Sequence, residues 1–124
     1  MFKEDSLIVQ MAKGKYKEEI FPTKYGEFIF KYPSGRDYML IEKKKADWLG
    51  GRRMDQFNGL FLQSLDVDAT LSVVITAYPE GYPSEFRGDN IIDFPDQEVK
   101  NALYKAFITF SGEEQTRISG EHTE

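Results

Sequence analysis

The chain has 124 residues, of which 40% are hydrophobic and 15% aromatic, and it carries a formal net charge of −5 without a single cysteine. This length fits one domain, and the aromatic content is too high for a disordered chain, so we expect one hydrophobic core. The absence of cysteine excludes disulfides, thiol nucleophiles and zinc ribbons, and the single histidine, His122, is too little for a histidine metal site or a Ser-His-Asp triad. We predict no enzyme, no cofactor and no metal site.

Membranes and nucleic acids are equally poor candidates for partners. No segment approaches the ~20 apolar residues that span a bilayer, and the first ten residues lack the pattern of a signal peptide, so we expect a soluble protein that is not exported. A negative net charge disfavours a surface that follows phosphates. The negative net charge also argues against single-stranded nucleic acid stacking on the Tyr and Phe side chains of residues 25–32.

Charge is unevenly distributed along the chain. Residues 1–53 hold 12 Lys/Arg and 8 Asp/Glu, whereas residues 54–124 hold 4 Lys/Arg and 13 Asp/Glu. Two interpretations stay open at this point. Opposite patches on neighbouring copies attract and assemble head to tail, or the two halves fold against each other and carry ordinary surface charge.

The first elements are predicted to be an arm and a β-hairpin. Residues 1–17 form a loosely ordered arm, for which a short helix and a short strand are both compatible with the sequence. The aromatic and β-branched run 27–32 predicts a strand. Turn-forming residues follow at 33–36, and the apolar run 37–41 predicts the second strand of the hairpin.

Two helices are predicted in the middle of the chain. A short one covers residues 42–49 and stops at Gly50-Gly51. A longer one starts at Met54 or Asp55, because apolar residues recur at three- and four-residue spacing from there, and it ends before Pro79. We interpret it as one helix, although two helices with a kink in its polar middle would also fit.

Residues 79–95 contain three prolines and two glycines and are predicted to form a long connecting loop with a contact surface of its own. Tyr82 and Phe86 of this loop are expected to be partly exposed.

The last helix is predicted to begin with a cap at Asp93 or Phe94, with Pro95 in its first turn, and to end at Gly112. Residues 113–124 are expected to be a mobile tail. The prediction is therefore a single α+β domain over residues 18–112, with an N-terminal β-hairpin packed against two main C-terminal helices plus a short helix.

Acidic pairs raise the question of acid/base chemistry. Asp66 and Asp68 lie two residues apart, and Asp93 and Asp96 lie close to a helix start. Side chains two residues apart do not meet on a helix, so we interpret the first pair as a solvated face and the second as helix capping.

Gly50-Gly51-Arg52-Arg53 has the residue types of an anion cradle but matches neither the P-loop nor the dinucleotide-binding pattern. We interpret it as a helix stop followed by a basic turn. Trp48, the single indole, is either a core residue or, with these arginines, part of an interface.

Several features follow one another in a recognisable order over residues 20–112. They are an aromatic strand, the segment Tyr32-Pro33-Ser34-Gly35-Arg36, an extended run into Ile41, Ala46 with Gly50-Gly51, Ala69-Thr70-Leu71 in a helix that ends at Tyr78-Pro79, and Asp96-Gln97-Glu98-Val99 leading to Leu103-Tyr104. This order resembles the small tail assembly chaperones of long-tailed bacteriophages and prophages.

The resemblance implies a non-enzymatic protein in the cytoplasm of a bacterial host. Such a chaperone binds the long, helical, aggregation-prone tape-measure protein and keeps it soluble until the tail-tube protein polymerises around it. Several copies of the chain would cover one client, as a homo-oligomer or side by side. Members are often also made in a frameshifted, longer form, which suits a mobile C-terminal end.

We expect protein contacts at Trp48, Arg52, Arg53, Tyr82 and Phe86, because interfaces favour aromatic residues and arginine. Two other functions remain open. One is a structural component of the tail or of the head–tail joint, and the other is a small acidic inhibitor or adaptor protein.

Overall fold

The computed structural model describes residues 18–122, and the side chains of residues 18–116. The predicted arm, residues 1–17, lies outside the described residues. The described part contains three strands and three α-helices in an α+β arrangement, in which an N-terminal hairpin is followed by helices as predicted. They are β1 Glu18–Thr23, β2 Gly26–Lys31, α1 Gly35–Leu49, α2 Gly59–Val74, β3 Ile75–Ala77 and α3 Gln97–His122.

The hairpin is formed by β1 and β2, so the predicted pairing of residues 27–32 with residues 37–41 is wrong. The register runs from Glu18 opposite Lys31 to Thr23 opposite Gly26. Pro22 lies inside β1, which is tolerated because β1 is an edge strand of the order β1-β2-β3.

Residues 33–41 are helical rather than extended because Ser34 caps α1. The Ser34 hydroxyl accepts a hydrogen bond from the backbone N–H of Asp37, and the Asp37 carboxylate accepts one from the backbone N–H of Ser34. This reciprocal capping box starts a helix where the Pro-Ser-Gly run suggested a turn. The other end agrees with the prediction, since Gly50 closes α1 with a φ of 63°.

Helix α2 is shorter than the helix predicted from residue 54 to residue 78. Met54–Gln56 form a 3-10 turn, and α2 begins after Asn58, whose side chain accepts the N–H of Phe61 at 2.8 Å. After Val74 the β-branched run continues as β3, which pairs antiparallel with β2. Tertiary pairing with the hairpin therefore ends the helix early.

Residues 78–96 connect β3 to α3, as predicted for most of this stretch, with 3-10 segments at Ser84–Phe86 and Gly88–Asp93. The cap of α3 is Asp96, whose Oδ1 accepts the N–H of Val99 at 3.1 Å, rather than Asp93 or Phe94.

Gly112 does not end α3, which continues to His122. Gly112 has no left-handed backbone conformation, and beyond it Tyr32 donates a hydrogen bond to Gln115 at 2.7 Å. This contact with the end of the hairpin supports helix past the glycine. Mobility of residues 113–124 stays a prediction.

The core lies between the sheet and the helices. Phe28 and Phe30 of β2 are fully buried, and Phe30 packs edge-on against Phe107 of α3 with ring centroids 6.0 Å apart. The second half of α2 passes through the centre, where Leu71 and Val74 are also fully buried. The helices therefore cover one face of a small antiparallel sheet.

Candidate functional site

A groove with apolar walls lies between α1 and α2. Its volume is ≈ 510 Å³. The α1 wall comes from residues at positions 42, 45, 46 and 49, one face of a helix by their spacing, and the α2 wall comes from residues 62, 63, 65 and 66. We call this opening the α1–α2 groove. Its apolar lining residues are Ala46, Leu49, Met54, Leu62 and Leu65.

Residues 54–61, which come next to the groove in the chain, expose large apolar side chains. Met54, which lines the groove, is 61% exposed. Leu60 is 78% exposed, but it lies two residues from the lining residue Leu62 and therefore on the other side of the helix. Phe61 is exposed as well. Single exposed apolar residues are common, but a cluster beside a groove is typical of an interaction surface.

Two aromatic rings and an arginine extend the cluster. Phe57 and Phe61 stack with centroids 4.8 Å apart, and the guanidinium of Arg52 lies 4.8 Å from the Phe57 ring. Arg52 Nε also donates to the carbonyl of Leu49, a groove residue. Arg53 is exposed and pairs with Asp55 at 3.3 Å. Two of the predicted contact residues therefore lie next to the groove.

Charged groups hold the polar rim of the groove in place. Lys45 of α1 pairs with Glu42 at 2.8 Å and with Asp66 of α2 at 3.1 Å. Burial lowers the pKa of Lys45, but its hydrogen bonds to both carboxylates outweigh burial and raise the pKa overall. Tyr104 of α3 donates to Asp66 at 2.7 Å, and burial together with this bond raises the pKa of Tyr104 to about 12. The rim thus links three helices.

The other predicted contact residues lie in a second, smaller pocket. Tyr82 and Phe86 line it with Tyr25 and Phe94, and its volume is ≈ 260 Å³. We call it the aromatic pocket; it is completed by Glu80, Gly81 and Pro83. Phe86 is half-buried, but Tyr82 is buried, contrary to the prediction, because its ring packs 5.5 Å from that of Phe28 in the core.

The structure does not bring the five predicted contact residues together at one site. Arg52 and Arg53 adjoin the α1–α2 groove, and Tyr82 and Phe86 line the aromatic pocket, with no lining residue in common. Trp48 is half-buried and packs against the hydrophobic core, which fits its interpretation as a core residue. A role of these residues in binding stays a prediction.

The sequence prediction missed Met54 as a candidate site residue and did not separate Leu60 from the core. The spacing of Leu60 with Phe57 and Phe61 predicts one face of a long helix, and such a face looks the same whether it meets the core or a partner. The signal that could have separated them is the Asn58 cap, which starts α2 late and leaves residues 54–61 outside the buried part.

The carboxylates do not form an acid/base pair. Asp66 faces Lys45 and Tyr104, whereas Asp68 is buried and faces Lys100 of α3, with 3.0 Å between Lys100 Nζ and Asp68 Oδ1. This contact is an ion pair, and Asp68 Oδ1 accepts no hydrogen bond from the described residues. Burial raises the pKa of Asp68, and the ammonium of Lys100 opposes the rise. Asp68 is therefore not on a solvated face, contrary to the prediction, and of the second pair it is Asp96 that caps α3.

The uneven charge is partly neutralised within the chain. Lys24 pairs with Asp96 at 3.0 Å, Lys45 pairs with Asp66, and Lys44 forms a close ion pair with Asp89. Each pair joins the basic first half to the acidic second half. This supports the interpretation in which the two halves fold against each other.

Comparison with known proteins gives no relative to reason from. No protein-family model matches the chain, and neither a curated protein nor a solved structure matches it significantly. Among the described side chains, those of residues 18–116, no cluster of three or more acidic, histidine or cysteine groups is arranged to hold a metal ion. No helix in the described part has the length and apolar character needed to cross a bilayer.

Proposed function

We propose that this chain is a non-enzymatic tail assembly chaperone of a long-tailed bacteriophage or prophage. It binds an amphipathic helix of the tape-measure protein in the α1–α2 groove, in the cytoplasm of the bacterial host. The observation that carries the binding site is the exposure of Met54 on the groove wall, together with the stacked Phe57 and Phe61 that Arg52 connects to the groove residue Leu49. The client class rests on the resemblance of residues 20–112 to this family.

The groove fits a helix for chemical reasons. Amphipathic helices bind by laying apolar side chains at positions i, i+3, i+4 and i+7 into a groove with apolar walls. Methionine suits such a surface because its flexible thioether adapts to different partners, and both Met39 and Met54 are exposed along α1 and its C-terminal side. Arg52, stacked on Phe57, adds the residue type that interfaces favour.

The test is co-expression with the long helical tape-measure candidate that is encoded next to this chain, followed by sedimentation and light scattering of the soluble fraction. The expected result is a soluble complex of the client with several copies of this chain. Met54→Gln should weaken this rescue, because an amide group on the groove wall weakens apolar docking. Ile108→Gln is the control, since Ile108 is 50% exposed on α3 and does not line the groove.

Three other outcomes would contradict the proposal. If the client stays insoluble while the chain runs alone as a defined ring, a structural component of the tail or head–tail joint is the better assignment. Tight one-to-one binding to a basic enzyme would instead indicate an inhibitor. Equal rescue by the groove variant and the wild type would remove the groove from the site, and charge reversal at Arg52 and Arg53 would then locate the contact.

A further inference from the structure

The aromatic pocket is held open by hydrogen bonds around its walls. The guanidinium of Arg87 donates twice to the carbonyl of Tyr82, at 2.9 and 3.2 Å, and the Tyr82 hydroxyl donates to the carbonyl of Phe86 at 3.3 Å. On the opposite side the hydroxyl of Tyr25 donates to Asp96 at 2.6 Å. A pocket whose walls are already fixed loses little conformational freedom when it binds a ligand.

Three rings meet the ring of Phe94 at the base of this pocket. Tyr25, Tyr82 and Phe86 have centroids 5.5, 5.4 and 5.4 Å from that of Phe94. Phe94 and Tyr82 are buried, whereas Tyr25 is exposed and Phe86 half-buried. The buried rings therefore form the base, and the other two reach solvent.

The surroundings of the pocket are strongly acidic. Residues 78–98 contain six carboxylates and one arginine. Asp89 and Asp96 are paired with Lys44 and Lys24. Glu80, which lines the pocket, is exposed and has no ion pair with any residue that the structure describes. A free carboxylate thus stands at an opening with aromatic walls.

Aromatic rings of this protein already hold cations. Lys24 Nζ lies 5.5 Å from the Tyr25 centroid, and the guanidinium of Arg87 lies 5.2 Å from that of Tyr78. Ring faces attract cations through their quadrupole, and a planar guanidinium also stacks on them. In the pocket, Lys24 lies against Tyr25 and Arg87 lies 6.0 Å from the ring of Tyr82, and neither pairs with Glu80. The ring of Phe86 has no cation against it among the described residues.

We propose that the aromatic pocket binds an arginine side chain from a basic segment of a partner protein. The guanidinium lies against the ring of Phe86 and pairs with the carboxylate of Glu80, with Tyr25 as the neighbouring wall. A volume of ≈ 260 Å³ is below that of typical pockets for small molecules, roughly 300–1,000 Å³, and suits a single side chain. This site is separate from the α1–α2 groove and does not depend on the proposed function.

The test uses the full chain and two capped pentapeptides, Gly-Arg-Gly-Arg-Gly and the same peptide with citrulline in place of arginine. Citrulline keeps the shape of arginine but has no charge. Titration of ¹⁵N-labelled protein at low salt should give saturable amide shifts at residues 80–86 and at Tyr25 and Phe94 with the arginine peptide. The citrulline peptide should give none.

Variants separate this pocket from general attraction to acidic surface. Glu80→Gln and Phe86→Leu should each weaken binding about two- to fivefold, the size expected for an exposed cation–π contact or ion pair. Glu85→Gln is the matched control, because it removes a charge from the same loop without altering the pocket lining. A dispersed spectrum that matches the wild type outside the loop verifies folding of each variant.

Three results would overturn the proposal. Equal binding of both peptides would show that binding does not depend on the positive charge of arginine. Equal weakening by Glu80→Gln and Glu85→Gln would show that only the net charge of the loop matters. Shifts at the same residues that depend on the concentration of the chain alone would assign the pocket to a second copy of this protein.

Discussion

The first turn of helix α2 exposes apolar side chains, whereas the second half of the helix buries the carboxylate of Asp68. Leu60 is 78% exposed and Asp68 is only 6% exposed, although both belong to one continuous helix. An exposed apolar cluster and a buried polar group are the two departures from ordinary burial that carry information. The first is part of the surface on which the proposed client site rests. The second is compensated inside the chain by Lys100, which is 2% exposed.

The largest expected effect on stability comes from removing Asp68 from its ion pair with Lys100. Asp68→Leu leaves the ammonium of Lys100 buried without its counter-charge, so we expect the free energy of unfolding to fall by about 3–5 kcal/mol. Urea unfolding followed by circular dichroism measures this. Asp68→Leu/Lys100→Met should recover most of the loss, since two apolar side chains of similar volume replace the pair. A double variant as unstable as the single one would contradict this account.

Two leucines of α2 provide the direct comparison of its ends. Leu71→Ala should lower the free energy of unfolding by about 2–5 kcal/mol, because Leu71 is fully buried and its loss leaves a cavity. Leu60→Ala should change it by no more than about 0.5 kcal/mol, as expected for an exposed residue. Comparable losses from both substitutions, measured by thermal or urea unfolding, would mean that Leu60 is buried in solution, for example by self-association.

Helix α2 begins at the side-chain cap of Asn58, and the residues of its first turn are exposed. Asn58→Ala removes the acceptor of the Phe61 N–H and should cost about 1 kcal/mol of unfolding free energy. Asn58→Asp keeps an acceptor at the same place and should cost much less. If both variants unfold at the same denaturant concentration, the cap does not determine where α2 begins.

The smallest expected effect is a change in the pH dependence of stability. Burial raises the pKa of Asp68 even beside Lys100, and Lys100→Met should raise the pKa further by removing the opposing charge. A carboxyl with a raised pKa in the folded state adds stability below its unfolded pKa, and this is lost as pH rises through the folded pKa. The free energy of unfolding of Lys100→Met minus that of Asp68→Leu/Lys100→Met should therefore be larger at pH 4 than at pH 7.

That pH comparison has a clear failure. Both variants carry the same other carboxylates, so their difference isolates Asp68. Parallel stability curves from pH 4 to pH 7 would show that Asp68 titrates at its ordinary value and is not held in a desolvated place.

Much of the fold could be predicted from local signals. The apolar and aromatic run of β2, the stop of α1 at Gly50 and the acidic start of α3 each depend on a few neighbouring residues. The capping box of Ser34 and Asp37 was also a local signal, but the turn-forming residues 33–36 led to a strand prediction for residues 37–41. That error came from weighing composition above a specific pair of hydrogen bonds.

The candidate sites were less predictable. Arg52, Tyr82 and Phe86 were chosen from their residue types, and the structure divides them between a groove and a pocket. Tyr82 looked exposed because it lies in a loop rich in proline and glycine. Its burial depends on Phe28, more than fifty residues earlier, and no local pattern contains that contact.

The sequence by itself determined the class of fold, the end of α1 at Gly50, and the absence of thiol chemistry. The tertiary structure decided which strand pairs with β2, where α2 gives way to β3, and which apolar side chains remain outside the core. The reason is physical. Caps and turns act over three or four residues, whereas strand pairing and burial depend on contacts between distant parts of the chain.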